Sequence, residues 1–185
     1  MLAFLLVFTV ACEGGNDVVK KVDNVIEASV DNLRDPCVLA ENGTYYMYGT
    51  GWVCYKNTSG KLGGEWESLG VVVQKPSGAK DNFWAPEVHK YNGKYYFSYS
   101  TGDTHHLCYA VGDSPYGPFT YKGVILTPVV GWTTHHSIVE YCGKWWLFHH
   151  DSVPSGGRTW LRSLKVCELK YNEDGTIQTI EGLDE

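Results

Sequence analysis

The amino-acid sequence predicts an all-β fold, and three observations support this prediction. The chain of 185 residues contains 13 Tyr, 7 Trp, 6 Phe and 21 Gly, a composition typical of strands and turns. One segment pattern recurs three times at a fixed spacing, and no segment keeps a helical period. Because the length suits one domain with its own core, we expect a single all-β unit organised by an internal repeat.

The repeat consists of a short apolar strand, a two-residue turn and an aromatic strand. Its copies cover residues 38–48, 88–98 and 138–148, so each begins 50 residues after the one before. The turn is Asn-Gly in the first two copies and Cys-Gly in the third. Such turns between two apolar strands are typical of β-hairpins, and we therefore expect three hairpins.

Each repeat has room for two further strands. Four strands in about 50 residues is the size of one β-propeller blade, so the chain predicts about three four-stranded blades. The additional strands are expected at 53–56 and 66–73, at 107–111 and 119–126, and at 160–169 and 176–180.

Polar residues stand just before the hairpins, where the innermost strand of each blade begins. The innermost strands of a propeller surround its central axis. We therefore expect these polar side chains to converge on the axis. Counted in steps of 50, one set of equivalent positions is Asp35, Ala85 and His135. A second set, two residues later in each repeat, is Cys37, Glu87 and Ser137.

The first residues differ in composition from the rest. Residues 2–11 form an apolar run too short to span a bilayer, and the segment that ends at Cys12 resembles a bacterial lipoprotein cleavage site. We expect a leader and linker at 1–21 and the β-domain at 22–185, with Cys12 lipidated and the protein exported to the periplasm, outer membrane or cell surface of a bacterium. The alternatives are an ordinary secretory signal, a misplaced start codon or a first strand.

The net charge and the cysteine spacing argue against nucleic-acid binding and against a zinc site. The 15 Lys and Arg against 21 Asp and Glu give a net charge of −6, which offers no electrostatic basis for binding nucleic acid. The five cysteines beyond the leader have no C-x-x-C spacing, so a zinc site is not predicted. We expect most of them to be small buried residues, with room for one disulfide in an exported protein.

Several motifs, in their order along the chain, resemble glycoside hydrolase family 43. They are R-D-P at 34–36, F-W-A-P-E at 83–87, S-T-G-D-T-H-H at 100–106, D-S-P-Y-G-P-F at 113–119 and the final stretch from G-W-T-T-H-H-S onward. The similarity covers nearly all of the chain after about residue 25. The resemblance implies a five-bladed propeller enzyme that inverts the anomeric carbon, of the β-xylosidase, α-L-arabinofuranosidase or arabinanase type.

The resemblance also implies catalytic residues. An inverting glycosidase needs a carboxylate base and a carboxylic acid, roughly 6.5–9.5 Å apart. Asp35 matches the general base of the family, although an Asp-Pro turn at the start of a strand is the alternative. The general acid of the family is a Glu in an E-G-P segment that opens the fourth blade, tuned by an Asp that opens the third. Both segments are absent from this sequence. Glu87 is the remaining axial candidate for the acid, although the equivalent residue in relatives usually contributes to the substrate pocket and is not the proton donor.

Three adjacent histidine pairs occur in the chain. Because consecutive residues of a strand face opposite sides, paired zinc ligands are not implied. In the family the first His of the H-H-S segment helps to hold one axial Ca²⁺ through solvent and backbone oxygens, which assigns that role to His135. The alternative is a core histidine, and no other cofactor is expected.

Other residues are candidates for binding a carbohydrate substrate. Trp52, Trp84 and Trp132 lie just outside predicted strand ends, where an indole can stack on a sugar ring. Arg162 matches an arginine that in relatives reaches the substrate from the last blade, with a surface ion pair as the alternative. Asp103 is expected either to line the pocket or to form a turn.

The expected function is inverting hydrolysis of xylose- or arabinose-containing glycosides, impaired by the absence of the usual acid segment. A non-catalytic sugar-binding module and a non-functional gene fragment are the alternatives. At about 50 residues per blade the domain has room for little more than three blades, whereas a ring usually needs four to eight. We therefore expect an incomplete five-bladed propeller.

Overall fold

A computed structural model of the protein describes residues 30–75, 83–102, 104–127, 129–131 and 134–181. The predicted leader with Cys12, the start of the domain at residue 22, Asp103 and Trp132 lie outside these residues. No helix of the described part of the chain is long and apolar enough to cross a membrane.

The described residues form strands and one short 3₁₀-helix, Val153–Ser155, as the composition predicts. The strands are β1 Cys37–Glu41, β2 Thr44–Gly49, β3 Val53–Asn57, β4 Glu67–Val71, β5 Val73–Gln74, β6 Phe83–Tyr91, β7 Lys94–Thr101, β8 Leu107–Gly112, β9 Phe119–Thr127, β10 His136–Tyr141, β11 Lys144–Asp151, β12 Ser163–Leu169 and β13 Ile180–Glu181.

Three antiparallel units correspond to three propeller blades. Blade 1 is β1-β2-β3-β4, blade 2 is β6-β7-β8-β9, and blade 3 is β10-β11-β12. The expected all-β fold of about three blades is therefore confirmed. Strands β1, β6 and β10 each begin a blade, and β6 contacts both β1 and β10. The three first strands thus lie side by side where the blades meet.

The three predicted hairpins are present, and their turns explain the Asn-Gly and Cys-Gly sequences. Asn42, Asn92 and Cys142 have φ angles of 50°, 45° and 53°, and the glycine after each also has positive φ. Positive φ at both central residues is the requirement of the turn that matches the twist of a hairpin. Asn tolerates this conformation well, and blade 3 uses Cys in its place.

The last predicted strand does not complete blade 3. Residues 176–178 do fold back on the chain just after β12, through an antiparallel bridge between Tyr171 and Ile177. The following residues of β13, however, pair in parallel with β9 of blade 2, and β5 pairs with the start of the same strand. Burial explains the difference, because Ile177 is 5% exposed and Tyr171 stacks on Tyr91 of blade 2 with ring centroids 3.6 Å apart. The final segment therefore crosses from blade 3 onto blade 2. The preceding strand is also shorter than predicted, since it begins at Ser163 rather than at residue 160.

Two apolar cores fill the spaces between neighbouring blades. In the first core, blade 1 residues such as Tyr48 pack against Val88 and Phe97 of blade 2. In the second core, blade 2 residues such as Tyr96 pack against Leu147 of blade 3. Burial of a large side chain of this kind contributes about 1.5–3 kcal/mol. These cores therefore hold the three blades together and position the ends of their first strands.

The five cysteines outside the leader, all of which the structure describes, are not linked to one another by disulfides. Cys54 and Cys108 are buried, Cys37 and Cys167 are half-buried, and Cys142 is exposed. Cys54 and Cys108 are therefore small core residues, as expected, whereas the other three are not fully buried.

Candidate active site

The first strands of the three blades bring polar residues together in one cleft. Asp35, Glu87 and His135, which are separated by about 50 residues in sequence, all line a cleft of about 420 Å³. The convergence expected from the repeat is therefore present. The other lining residues are Pro36, Cys37, Ala85, Pro86 and His136.

Asp35 is oriented by a threonine from the end of the same hairpin. The Thr50 hydroxyl donates a hydrogen bond of 2.5 Å to Oδ2 of Asp35, and the backbone N–H of Ala85 donates to that hydroxyl oxygen at 3.3 Å. Asp35 and Ala85 occupy equivalent repeat positions and both have positive φ, 54° and 51°. The Asp35 side chain stays 32% exposed. Its carboxylate is thus held in place while remaining open to water, as a general base requires.

Glu87 lies in a more enclosed environment. A β-bulge between Trp84 and Glu87 changes the register of β6, and the Glu87 side chain is 15% exposed. Ser137 Oγ and the backbone N–H of Ile138 donate to its carboxylate at 3.0 Å and at 2.8–2.9 Å. Burial raises the pKa of Glu87 from 4.5 to about 7, although these hydrogen bonds oppose the shift. A carboxyl group with this pKa is protonated often enough near neutral pH to act as a general acid.

His135 and His136 lie in two different environments, because consecutive residues of a strand face opposite sides. The His136 ring is fully buried, with Nε2 at 2.6 Å from Ser98 Oγ and 3.6 Å from Glu87 Oε2. Burial lowers the pKa of His136 to about 3, so its ring is neutral beside Glu87. His135 is half exposed, and its Nε2 lies 4.0 Å from Oδ1 of Asp35.

The described residues contain no group of three or more His, Cys, Asp or Glu side chains that could hold a metal ion. A set of direct side-chain ligands for Ca²⁺ is therefore lacking there, since this ion takes six to eight oxygen ligands. The axial Ca²⁺ that the family resemblance assigns to His135 depends on solvent and backbone oxygens, and it stays a prediction.

Arg162 lies in the loop before β12 and is connected through His150 to His135, which lines the cleft. Its Nε donates to the Thr159 carbonyl at 2.9 Å, and its Nη1 lies 3.5 Å from Nε2 of His150. The same nitrogen of His150 accepts the backbone N–H of His135 at 3.0 Å. Arg162 is exposed, so its guanidinium is available to a ligand at this edge of the cleft.

The two predicted sugar-stacking tryptophans that the structure describes differ in exposure. Trp52 is 4% exposed, and its indole stacks on Phe83 with centroids 3.6 Å apart. The structure therefore places Trp52 in the first core, against our expectation of an exposed platform, because Phe83 covers one face of its ring. Trp84 is half-buried and, with Arg34, lines a neighbouring cleft of about 450 Å³.

Comparison with known proteins identifies the family. The sequence model described as glycosyl hydrolases family 43 matches residues 24–134, which is more than half of the chain. The chain belongs to this family. It is similar to a xylosidase/arabinosidase of Bacteroides ovatus, with 75% identity over 103 residues that cover 56% of this chain and 32% of the relative. A beta-xylosidase of Xylanibacter ruminicola is 73% identical over 99 residues, which cover 54% of this chain and 31% of the relative.

Solved structures of family 43 enzymes have the same fold. The RS223 beta-xylosidase gives a TM-score of 0.71 at 48% identity, covering 81% of this chain and 58% of that chain. The GH43_1 enzyme of Xanthomonas citri complexed with xylose gives a TM-score of 0.70 at 40% identity, covering 80% and 57%. This family 43 chain spans about a third of the length of the curated relatives named above.

Sequence reasoning placed Ser137 on the axis beside Glu87, but it missed Thr50, which orients the candidate base of this family 43 chain. Thr50 and Ser137 donate to Asp35 and Glu87, respectively. Ser137 was found by the repeat spacing, because it stands one repeat after Glu87. Thr50 gave no such signal, since a threonine at the end of an aromatic strand has many ordinary roles.

Proposed function

We propose that this chain is a glycosidase that hydrolyses xylose- or arabinose-containing oligosaccharides with inversion at the anomeric carbon. The supporting observation is the cleft in which two carboxyl groups have different environments. Asp35 is open to solvent and Glu87 is enclosed, with a pKa raised to about 7. Such a difference separates a base from an acid in glycosidases.

In this proposal Asp35 activates a water molecule and Glu87 protonates the leaving oxygen. The Thr50 hydroxyl keeps Asp35 in one orientation. Arg162, which is exposed beside His150, binds substrate hydroxyl groups at the edge of the cleft. Trp84 contributes an apolar surface to the adjoining cleft.

The test measures hydrolysis of nitrophenyl β-xyloside, nitrophenyl α-L-arabinofuranoside and xylobiose by the full chain. Asp35→Asn is expected to lower kcat on all three by about 100-fold or more. Glu87→Gln is expected to affect xylobiose more than the nitrophenyl substrates, because nitrophenolate leaves without protonation. Glu140→Gln, which changes an exposed carboxylate of blade 3, is the matched control and should leave activity unchanged. Activity that survives both site variants would contradict these assignments.

A non-catalytic carbohydrate-binding module is the second candidate. The observation in its favour is that both Glu87 oxygens accept the Ile138 N–H, so this carboxyl group has a structural role in joining two blades. Calorimetric titration with xylo- and arabino-oligosaccharides distinguishes the candidates, since binding without turnover selects the module. A chain that shows neither binding nor a cooperative unfolding transition would instead be a non-functional fragment.

Export and calcium binding are separate proposals that rest on sequence resemblance. Lipidation of Cys12 predicts incorporation of labelled palmitate in a bacterial host, which Cys12→Ser abolishes. An axial Ca²⁺ near His135 predicts a rise in Tm on addition of Ca²⁺, which His135→Ala reduces. A Tm that does not respond to Ca²⁺ would contradict the second proposal.

A further inference from the structure

A second cleft lies beside the candidate active site, where blades 1 and 2 meet. It has a volume of about 450 Å³, and its lining includes Arg34, Thr50 and Trp52 together with Trp84 of blade 2. We call it the second cleft. The described residues that line it include no Asp or Glu, whereas the candidate active site contains two carboxyl groups. The two neighbouring clefts therefore differ in charge.

Arg34 supplies positive charge to the second cleft. Its side chain is exposed, and the ion pairs within the described part of the chain involve other residues. Lys75 lines the same cleft but already takes part in another interaction. Arg34 is therefore the cation that a ligand can engage. A guanidinium group presents a planar set of donors that matches a carboxylate at two points.

Trp52 supplies a hydrogen-bond donor that lacks an acceptor. Its indole lines the second cleft and is 4% exposed, and its Nε1 has no hydrogen-bond partner in the part of the chain that the structure describes. A buried N–H group without an acceptor is unfavourable, and native proteins satisfy nearly all such groups. A ligand that brings an acceptor oxygen into the second cleft would satisfy this donor.

Trp84 supplies an aromatic surface for a sugar ring. Its half-buried indole lines the second cleft, and an indole can stack on a sugar ring. An acidic sugar combines a ring for Trp84 with a carboxylate for Arg34 and Trp52. A neutral sugar lacks the carboxylate and a simple carboxylic acid lacks the ring, so an acidic sugar fits the second cleft better than either.

Thr50 connects the second cleft to the candidate active site. This residue lines the second cleft, and its hydroxyl donates to Asp35. In addition, Arg34 and Trp84 directly precede Asp35 and Ala85, which line the candidate active site. A saccharide held in the second cleft therefore lies next to the carboxylate that we assign as the base.

We infer that the second cleft binds the carboxylate of a uronic acid unit through the Arg34 guanidinium and the Trp52 N–H, with the sugar ring against Trp84. Its consequence for catalysis rests on the proposed glycosidase activity: the preferred oligosaccharides carry a uronic acid unit beside the bond that is cleaved. Binding itself requires no turnover, so the two proposals can fail separately.

NMR titrations of the ¹⁵N-labelled full chain with glucuronate, glucose and acetate test the inference. Glucose has a CH₂OH group in place of the carboxylate, and acetate has no ring. We expect glucuronate to bind at least about tenfold more tightly than either. Glucuronate should also move the indole N–H signal of Trp52. Trp52→Phe identifies this signal, because the variant keeps an aromatic ring and lacks the N–H.

Variants of Arg34 test the source of the charge. Arg34→Gln should weaken glucuronate binding by about tenfold or more, whereas Arg34→Lys should retain part of it. Arg158→Gln is the matched control, since Arg158 is exposed in the loop before β12 and does not line the second cleft, and its glucuronate binding should be unchanged. Circular dichroism checks that each variant is folded.

Equal affinity for the three ligands, a Trp52 signal that does not move, or unchanged glucuronate binding by Arg34→Gln would overturn the inference. Glucuronate binding that depends on Arg34, in a chain that hydrolyses no glycoside, would support the inference and contradict only the proposed function.

Discussion

Glu87 on β6 accepts the backbone N–H of Ile138 on β10 with both carboxylate oxygens, at 2.9 and 2.8 Å. The same side chain lines the cleft that contains Asp35. Glu87 therefore joins blade 2 to blade 3 and is also the candidate proton donor. Because one group has both roles, a change in its charge should alter stability together with activity.

The first prediction concerns the pH dependence of stability. Burial raises the pKa of Glu87 from 4.5 to about 7, so between these values the folded protein binds a proton that the unfolded chain has lost. The contribution of Glu87 is thus fully present below pH 4.5 and is lost as pH rises to about 7. This contribution to the free energy of unfolding is on the order of 3 kcal/mol.

Urea unfolding of the parent chain and of Glu87→Gln between pH 4.5 and 8 checks this prediction. The difference in the free energy of unfolding between the two proteins should change over this interval and become constant above it, because Gln does not titrate. Glu140→Gln controls for the removal of an exposed carboxylate and should follow the parent chain. A pH-independent difference between parent and Glu87→Gln would contradict the raised pKa.

The second prediction concerns Thr50 as a positioning residue. Its hydroxyl donates to Asp35 and accepts from the Ala85 N–H, so Thr50→Val removes both hydrogen bonds. The buried N–H left without an acceptor should cost about 1–3 kcal/mol of stability. If Asp35 is the general base, its loss of orientation should lower kcat by roughly tenfold or more with little change in KM.

Thr50→Ser separates this effect from a loss of packing. Serine keeps the hydroxyl and removes one methyl group, so it should restore most of kcat. Equal kcat values for Thr50→Val and Thr50→Ser would show that the Thr50 hydroxyl does not position the base.

The sequence predicted those features of the fold that depend on local chemistry. The turns at Asn42, Asn92 and Cys142 have positive φ, and a glycine follows each of them at a spacing of 50 residues, so the hairpins were visible as a pattern. The cleft that gathers Asp35 and Glu87 follows from the same spacing. The strand-like segments between the hairpins were also found, with boundaries that differ by a few residues.

The remaining features depend on contacts between distant residues. Trp52 is buried because Phe83, 31 residues later, stacks on its ring, and no pattern around Trp52 indicates this partner. The last strand joins blade 2 because Tyr171, which precedes it, stacks on Tyr91 of that blade. The local sequence of the last strand is equally suited to pairing within blade 3. Propensity cannot distinguish two edges that both offer free backbone groups.

The third prediction concerns the buried histidines. Burial lowers the pKa values of His89 and His136 to about 3, so each ring stays neutral in the folded protein at pH values where the unfolded chain binds a proton. Their contribution to stability is present above pH 6.5 and is lost as pH falls below it, which is opposite in direction to that of Glu87. Imidazole nitrogen chemical shifts measured by NMR should therefore show neutral rings for both residues from pH 7 down to about 5. Titration of either ring near pH 6.5 would contradict its burial.

The fourth prediction concerns thiol reactivity. Cys142 is exposed at the tip of the blade 3 hairpin, whereas Cys54 is fully buried and burial raises its pKa to about 12. Alkylation requires an accessible thiolate, so iodoacetamide should modify Cys142 rapidly and Cys54 only after unfolding, as mapped by mass spectrometry of peptides. Cys142→Asn is the matched control, because it reproduces the Asn-Gly turn of the other two blades and should remove the fast reaction while keeping the hairpin. Rapid labelling of Cys54 in the folded protein would mean that the first core opens on the timescale of the reaction, and this core could not then be the rigid contact that positions Asp35 relative to Glu87.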